Sequence, residues 1–151
     1  MVEGMIESTY NSVFEIELRI LILLEHSKEE FLSSDMIAVL DFIVVYGKEF
    51  GVSKTNLHGD NRFKFSELPS RREKVLKALK ELVKKDMVDI DLSKGFKFQI
   101  NNKGYQFIEK FEGSYAIEYG EIANAACDKY GDMDEAELYK YIQSKSVISQ
   151  N

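Results

Sequence analysis

Between residues 66 and 111 the spacing of apolar positions changes twice, and those changes define the elements. Leu68, Val75, Leu76, Leu79, Leu82 and Val83 recur three and four apart, which on a helix of 3.6 residues per turn makes one apolar arc. Ser70 and Glu73 have the spacing of a capping box with Pro69 just before it, so this helix is expected to begin near Arg71. After Asp86 the period shortens: Met87, Val88 and Ile90, then Phe96, Phe98 and Ile100, alternate with polar residues across Ser93, Lys94 and Gly95. That reads as a hairpin with a glycine in its turn. Tyr105, Ile108 and Phe111 then return to helical spacing. Helix, hairpin, helix is the order of a winged-helix unit.

Upstream, Asn11 or Ser12 is placed to cap a helix over residues 13–25. Its apolar residues nearly encircle the axis from Ile20 onward, while Glu15, Glu17 and Arg19 mark a wetter side earlier. Such a helix is either the centre of the core or partly buried against another subunit. A polar break over residues 26–30 precedes a second apolar helix, with Ser34 as its cap and Gly47 at its end. The Gly-, Asn-, Asp- and Ser-rich stretch that follows reads as a mobile loop, long enough to raise a functional role as the alternative. Past Gly113, Tyr115, Tyr119, Ile122, Ala126 and Tyr130 mark another helix, ended by Gly131. Asp134 with Glu137 opens a last short helix carrying Leu138, Tyr141 and Ile142, and the tail after it is expected to fray. The expected fold is mainly α with a small β-hairpin (α+β): a winged-helix domain over residues 1–112 and a C-terminal two-helix extension over residues 113–151.

Composition supports a globular chain, with 44% hydrophobic and 30% charged residues. At 151 residues it can bury a core without metal or disulfide, and its single cysteine, Cys127, suits a reducing compartment. The first residues are acidic, unlike a secretory leader, and the longest apolar runs fall far short of the roughly 20 residues of a membrane span. A cytoplasmic, soluble protein is expected. Charge sharpens the picture. The net charge is −6, yet residues 66–111 hold 11 Lys and Arg against 7 Asp and Glu, so a basic segment lies inside an acidic protein.

No constellation for bond-breaking chemistry stands out, and the chain does not read as an enzyme. His26 and His58 read as solvent-exposed loop histidines, and Cys127, on the apolar side of a helix, as a small core residue. Asp128, Asp132 and Asp134 lack the spacing of a calcium loop, and neither phosphate-binding glycine motif occurs, so no cofactor is expected. The functional candidate is the polar face of the third helix. Lys74, Lys77, Lys80, Lys84 and Lys85 lie there, with Arg71 and Arg72 near its start and Lys94 and Lys97 in the hairpin. Lysines with almost no base-reading types among them favour non-specific phosphate contact or a protein partner over base reading. The plain alternative is a solvated face.

Several ordered stretches carry a resemblance. They are N-S-V-F-E-I-E-L-R-I-L-I-L-L from Asn11, D-M-I-A-V-L-D-F from Asp35, L-P-S-R-R-E-K-V-L-K-A-L-K-E-L from Leu68, G-F-K-F-Q-I-N-N-K-G-Y-Q-F from Gly95, and S-Y-A-I with a later Y-G-D-M-D from Ser114. In that order they resemble the small middle component of ABC-type three-component systems, found as the accessory subunit of Lamassu-type anti-phage defence complexes. The resemblance implies a non-catalytic partner of an SMC-like ATPase and of a separate effector, typically a nuclease, in a complex that senses foreign DNA. The subunit would hold the resting assembly together or relay DNA engagement. The rival reading is a free-standing winged-helix transcription regulator whose C-terminal helices form a dimerisation arm. A toxin-antitoxin or adaptor module is a third class.

Overall fold

The computed structural model describes residues 12–27, 31–60, 63–93 and 95–150, the side chains of 147–150 excepted. Asn11, the acidic start of the chain, residues 28–30 of the expected polar break, and Lys94 lie outside the described residues. The chain runs through α1 (Val13–His26), β1 (Leu32–Ser33), α2 (Ser34–Val45), a 3-10 turn (Lys64–Glu67) and α3 (Leu68–Lys84). It continues with β2 (Val88–Asp91), β3 (Lys97–Ile100), α4 (Asn102–Ile108), α5 (Ser114–Tyr130) and α6 (Glu135–Gln150). This is the expected mainly helical chain, with a small antiparallel sheet of order β1-β3-β2.

Ser12 caps α1, its hydroxyl accepting from the Glu15 N–H at 3.2 Å, and every residue from 16 to 24 is buried. α2, α3 and α5 pack around it, which makes α1 the central core helix. The wetter side expected of α1 is partly overturned: Glu17 and Arg19 are buried, Arg19 to 1% exposure, because both find partners on neighbouring helices. Ser33, not Ser34, caps α2, since β1 delivers Ser33 in extended conformation with its hydroxyl on the Met36 N–H at 3.1 Å.

α3 begins at Leu68, three residues before its expected start. The chain enters from the 3-10 turn already in helical conformation, so no side-chain cap is needed, and Pro69 falls in the first turn, where its missing N–H has no partner to lose. Leu68, Val75, Leu79 and Leu82 are buried as the period predicts and Ala78 joins them, whereas Val83 is half-buried and Leu76 39% exposed at the edge of the arc. α3 ends on Asp86, whose φ of +60° is left-handed. The Met87 and Asp86 N–H groups close back on the Leu82 and Val83 carbonyls, both at 3.0 Å, the six-to-one and five-to-two bonds of a Schellman cap.

The hairpin forms where the two-residue period places it, with Gly95 at φ +83° in its turn. Its register sets Val88 opposite Ile100 and Ile90 opposite Phe98, so one face is apolar from base to tip. β1, too short to show a period, adds Leu32 opposite Phe98. At the base, Asn101 accepts from the Gly104 N–H at 3.0 Å and donates to the Asp86 carbonyl at 2.8 Å and to Asp89 at 3.1 Å. A Cβ on Gly104 would stand 2.5 Å from the Met87 carbonyl oxygen, so α4 lies against the hairpin base with no room for a methyl group.

α5 lays Tyr119, Ile122, Ala123 and Ala126 on α1 and α2, and Cys127 is a buried core residue as expected. α6 is longer than the short helix expected, running through the tail that was to fray. Within the stretch read as a mobile loop, the Leu57 N–H donates to the Val45 carbonyl at 2.9 Å and Asn56 accepts from the Lys48 N–H at 3.1 Å, and just ahead of it the chain is held by Phe50. Phe50 is 1% exposed, stacked edge-on to Phe42, and its carbonyl accepts from Tyr130 at 2.7 Å and Lys129 at 3.0 Å.

Candidate functional site

α3 carries charge on both sides, and the two sides are used differently. On the inward side, Arg71 reaches Asp41 of α2 at 2.5 Å; Arg19 of α1 meets the same carboxylate at 3.0 and 3.2 Å, and Tyr119 of α5 donates to it at 2.6 Å. Asp41, Arg19 and Tyr119 are all but fully buried. Burial alone would push the Asp41 carboxyl up, but Arg19, Arg71 and the Tyr119 hydroxyl outweigh it and hold it well below the usual carboxylate range. Burial and Asp41 together push Tyr119 well above the ordinary phenol value. Asp41 thus accepts from three other helices at once, and the cluster is a clasp at the centre of the fold.

Asp41 and Arg19 are the site residues that reading the sequence missed. The signal was present: a lone Asp inside M-I-A-V-L-D-F-I-V-V and an Arg leading directly into the I-L-I-L-L run of α1 imply opposite charges that bury each other. His58 corrects another expectation. It is not a solvent-exposed loop histidine but half-buried, its Nε2 2.7 Å from the Tyr115 hydroxyl and its ring stacked on that residue. Burial, with Arg19 adding, lowers its pKa to about 3. His26 is half-buried beside Glu25 at 3.6 Å.

The nine candidate contact residues divide. Arg71 is taken by the clasp. Arg72 forms a two-point pair with Asp35 at 3.0 and 2.7 Å and lies over the Tyr139 ring, tying α3 to the start of α2 and to α6. Lys85 pairs with buried Glu17 at 2.9 Å. Lys97 is half-buried and lines a separate recess with Ser33, Met36 and Glu135, and Lys94 is outside the described residues. Lys74, Lys77, Lys80 and Lys84 remain exposed on α3, Lys84 with only a 3.4 Å contact to Glu81.

Lys77, Lys80 and Lys84 edge a groove of about 670 Å³ between α3 and the hairpin, floored by Leu76, Val83, Ile90, Phe96 and Phe98. The hairpin's apolar face explains it. Val88 and Ile100 at the base are covered by the core, while toward the tip Ile90 is 36% and Phe96 69% exposed. The Phe96 ring faces water, contrary to the buried side its spacing suggested, because the strand starts only at Lys97. Among the described residues no group of three or more His, Cys, Asp or Glu is arranged to hold a metal ion, and no helix is long and apolar enough to cross a membrane.

Residues 9–150 match the family described as MC2: ABC-three component (ABC-3C) system Middle Component 2. No curated protein and no solved structure matches the chain.

Proposed function

The chain belongs to the ABC-three component system middle component 2 family, and from that membership we propose that it is a non-catalytic accessory subunit of a three-component defence assembly. Its partners in this reading are an SMC-like ATPase and an effector nuclease, as in Lamassu-type anti-phage complexes, with DNA engaged through the assembly. The observation that carries the reading is the groove beside α3. Leu76, Ile90 and Phe96 stand open to water, and a protein surface covers such side chains where phosphate does not. The clasp supports it from the other side, because the charges that converge most closely are spent on holding helices together.

The element order from α1 to β3, with β1 paired to β3, supports a winged-helix unit in residues 1–112, with residues 113–151 as the extension. It departs from a helix-turn-helix in one respect, since α2 and α3 are joined by a long anchored connection rather than a tight turn. The exposed lysines of α3 favour a second reading, phosphate contact by this face, either within the assembly or by a free-standing regulator.

Co-expression with the other two components decides between them. An accessory subunit co-elutes with the ATPase through size exclusion. A stable symmetric dimer that co-elutes with neither and binds one duplex sequence alone would overturn the proposal.

A further inference from the structure

We propose that the groove between α3 and the hairpin receives an amphipathic helix of a partner protein whose apolar stripe is flanked by acidic residues on its α3 side. The inference deepens the accessory-subunit reading and rests on it for the partner's origin, though not for its chemistry.

The geometry sets the occupant. At 100° per residue, Leu76 and Val83 lie together at the edge of the buried arc of α3, and Lys80, Lys84 and Lys77 follow over about the next 100° of its surface. One wall of the groove is therefore apolar at its floor and cationic at its rim. The opposite wall is the hairpin, whose described lining residues are Ile90, Phe96 and Phe98, none of them basic. Leu76 and Val83 are two turns apart, about 10 Å along the axis. Side chains at i, i+3 or i+4, and i+7 of a second helix cover that span, which is the recognition mode of helix-in-groove binding. Acidic residues beside that stripe would meet Lys77, Lys80 and Lys84 across water-accessible distances and give the encounter its sign. Among the described lining residues Glu81 alone is acidic, and it already lies 3.4 Å from Lys84, so it does not reverse the rim.

Two other occupants fit less well. Duplex DNA would satisfy the lysines but leave Ile90, Phe96 and Leu76 against phosphate and sugar. An extended segment added along the free edge of β2 would meet Asp89 and Asp91, which repel an acidic strand.

The test uses the full chain and a fluorescently labelled synthetic helix of about 18 residues, long enough to hold helical structure, with leucines at i, i+3, i+4 and i+7 and glutamates on one flank. A control peptide carries lysines in place of the glutamates. The acidic peptide is expected to bind roughly tenfold or more tightly than its control, with the difference shrinking as salt rises. Phe96→Ser, at a position too exposed to endanger folding, is expected to weaken it roughly tenfold, and Lys77→Glu, Lys80→Glu and Lys84→Glu together to reverse the preference. Failure of the acidic peptide to bind, equal binding of both peptides, or Phe96→Ser without effect overturns the proposal. So does self-association of the chain that Phe96→Ser abolishes, which would assign the groove to a second copy. Competition by duplex DNA that survives Phe96→Ser assigns the rim to phosphate and likewise overturns it.

The same variants in the co-expressed assembly keep the two readings apart. Wild type and Phe96→Ser co-eluting equally with both components sinks the groove and leaves the accessory role standing. Tight, flank-specific peptide binding by a chain that joins neither component does the reverse.

Discussion

Around Asp41 two guanidiniums and a phenol close on one buried carboxylate; along the groove the lysines face outward over apolar side chains left open to water among the described residues. The two regions share α3, whose first turn supplies Arg71 to the former and whose middle supplies Lys77, Lys80 and Lys84 to the latter. The difference teaches where ionic groups hold this fold and where they are left free for something else. A buried carboxylate shared by two guanidiniums fixes helices relative to one another, since separating any of them strands a charge in low dielectric. A lysine in water fixes nothing within the molecule.

The sharpest way to break that contrast is Asp41→Ala. It removes the acceptor from Arg19, Arg71 and Tyr119 at once, and unfolding by urea should show a loss of about 3–5 kcal/mol. A loss within the range of a surface substitution would mean the clasp does not hold the helices.

Next comes pH. His58 is held neutral in the fold at a pKa of about 3, against an ordinary value of 6.5, so between those values the unfolded chain binds a proton that the folded one refuses. Stability should therefore fall as pH drops from about 6.5 toward about 3, with Asp41, depressed further, adding its loss only at the acid end. His58→Gln should flatten the upper part of that slope in a series of thermal melts; an unchanged slope would refute the burial argument.

Arg72 lies between the extremes, half-exposed but held at two points by Asp35, and Arg72→Ala should destabilise by about 1 kcal/mol. The smallest effect belongs to the groove: Lys77→Glu, Lys80→Glu and Lys84→Glu together should move stability by no more than about 0.5 kcal/mol while changing what the protein binds. If Arg72→Ala or the lysine triple destabilised as much as Asp41→Ala, the distinction between the two regions would dissolve.

Much of the framework was legible because it rests on local period. The arc of Val75, Leu79 and Leu82, the alternation through Val88, Ile90, Phe98 and Ile100, and the cap at Ser12 follow from geometry that repeats every few residues. What was not legible depends on partners far apart in the chain. Tyr115 and His58 are 57 positions apart, and Tyr119 and Asp41 78, so neither neighbour leaves a mark on the other's surroundings in sequence. The start of α3 was misplaced because the spacing of Ser70 and Glu73 imitates a box that the preceding 3-10 turn makes unnecessary. The basic face was read as composition rather than as geometry. At 100° per residue Arg71 falls inside the buried arc beside Val75 and Leu82, whereas Lys74, three residues on, falls outside it, so the period separates them once Arg71 is read by position rather than by charge.

Asn101 bolts the end of α3, the first turn of α4 and strand β2 to one another, and the bare Cα of Gly104 lets them close tightly. The ribbon therefore projects like a bracket fixed at one end, and the width of the cleft beside it is decided before any guest arrives. A guest entering such a cleft has little main chain to organise and need only settle a few rotamers, Phe96 foremost, so a short helix could be held with modest loss of entropy.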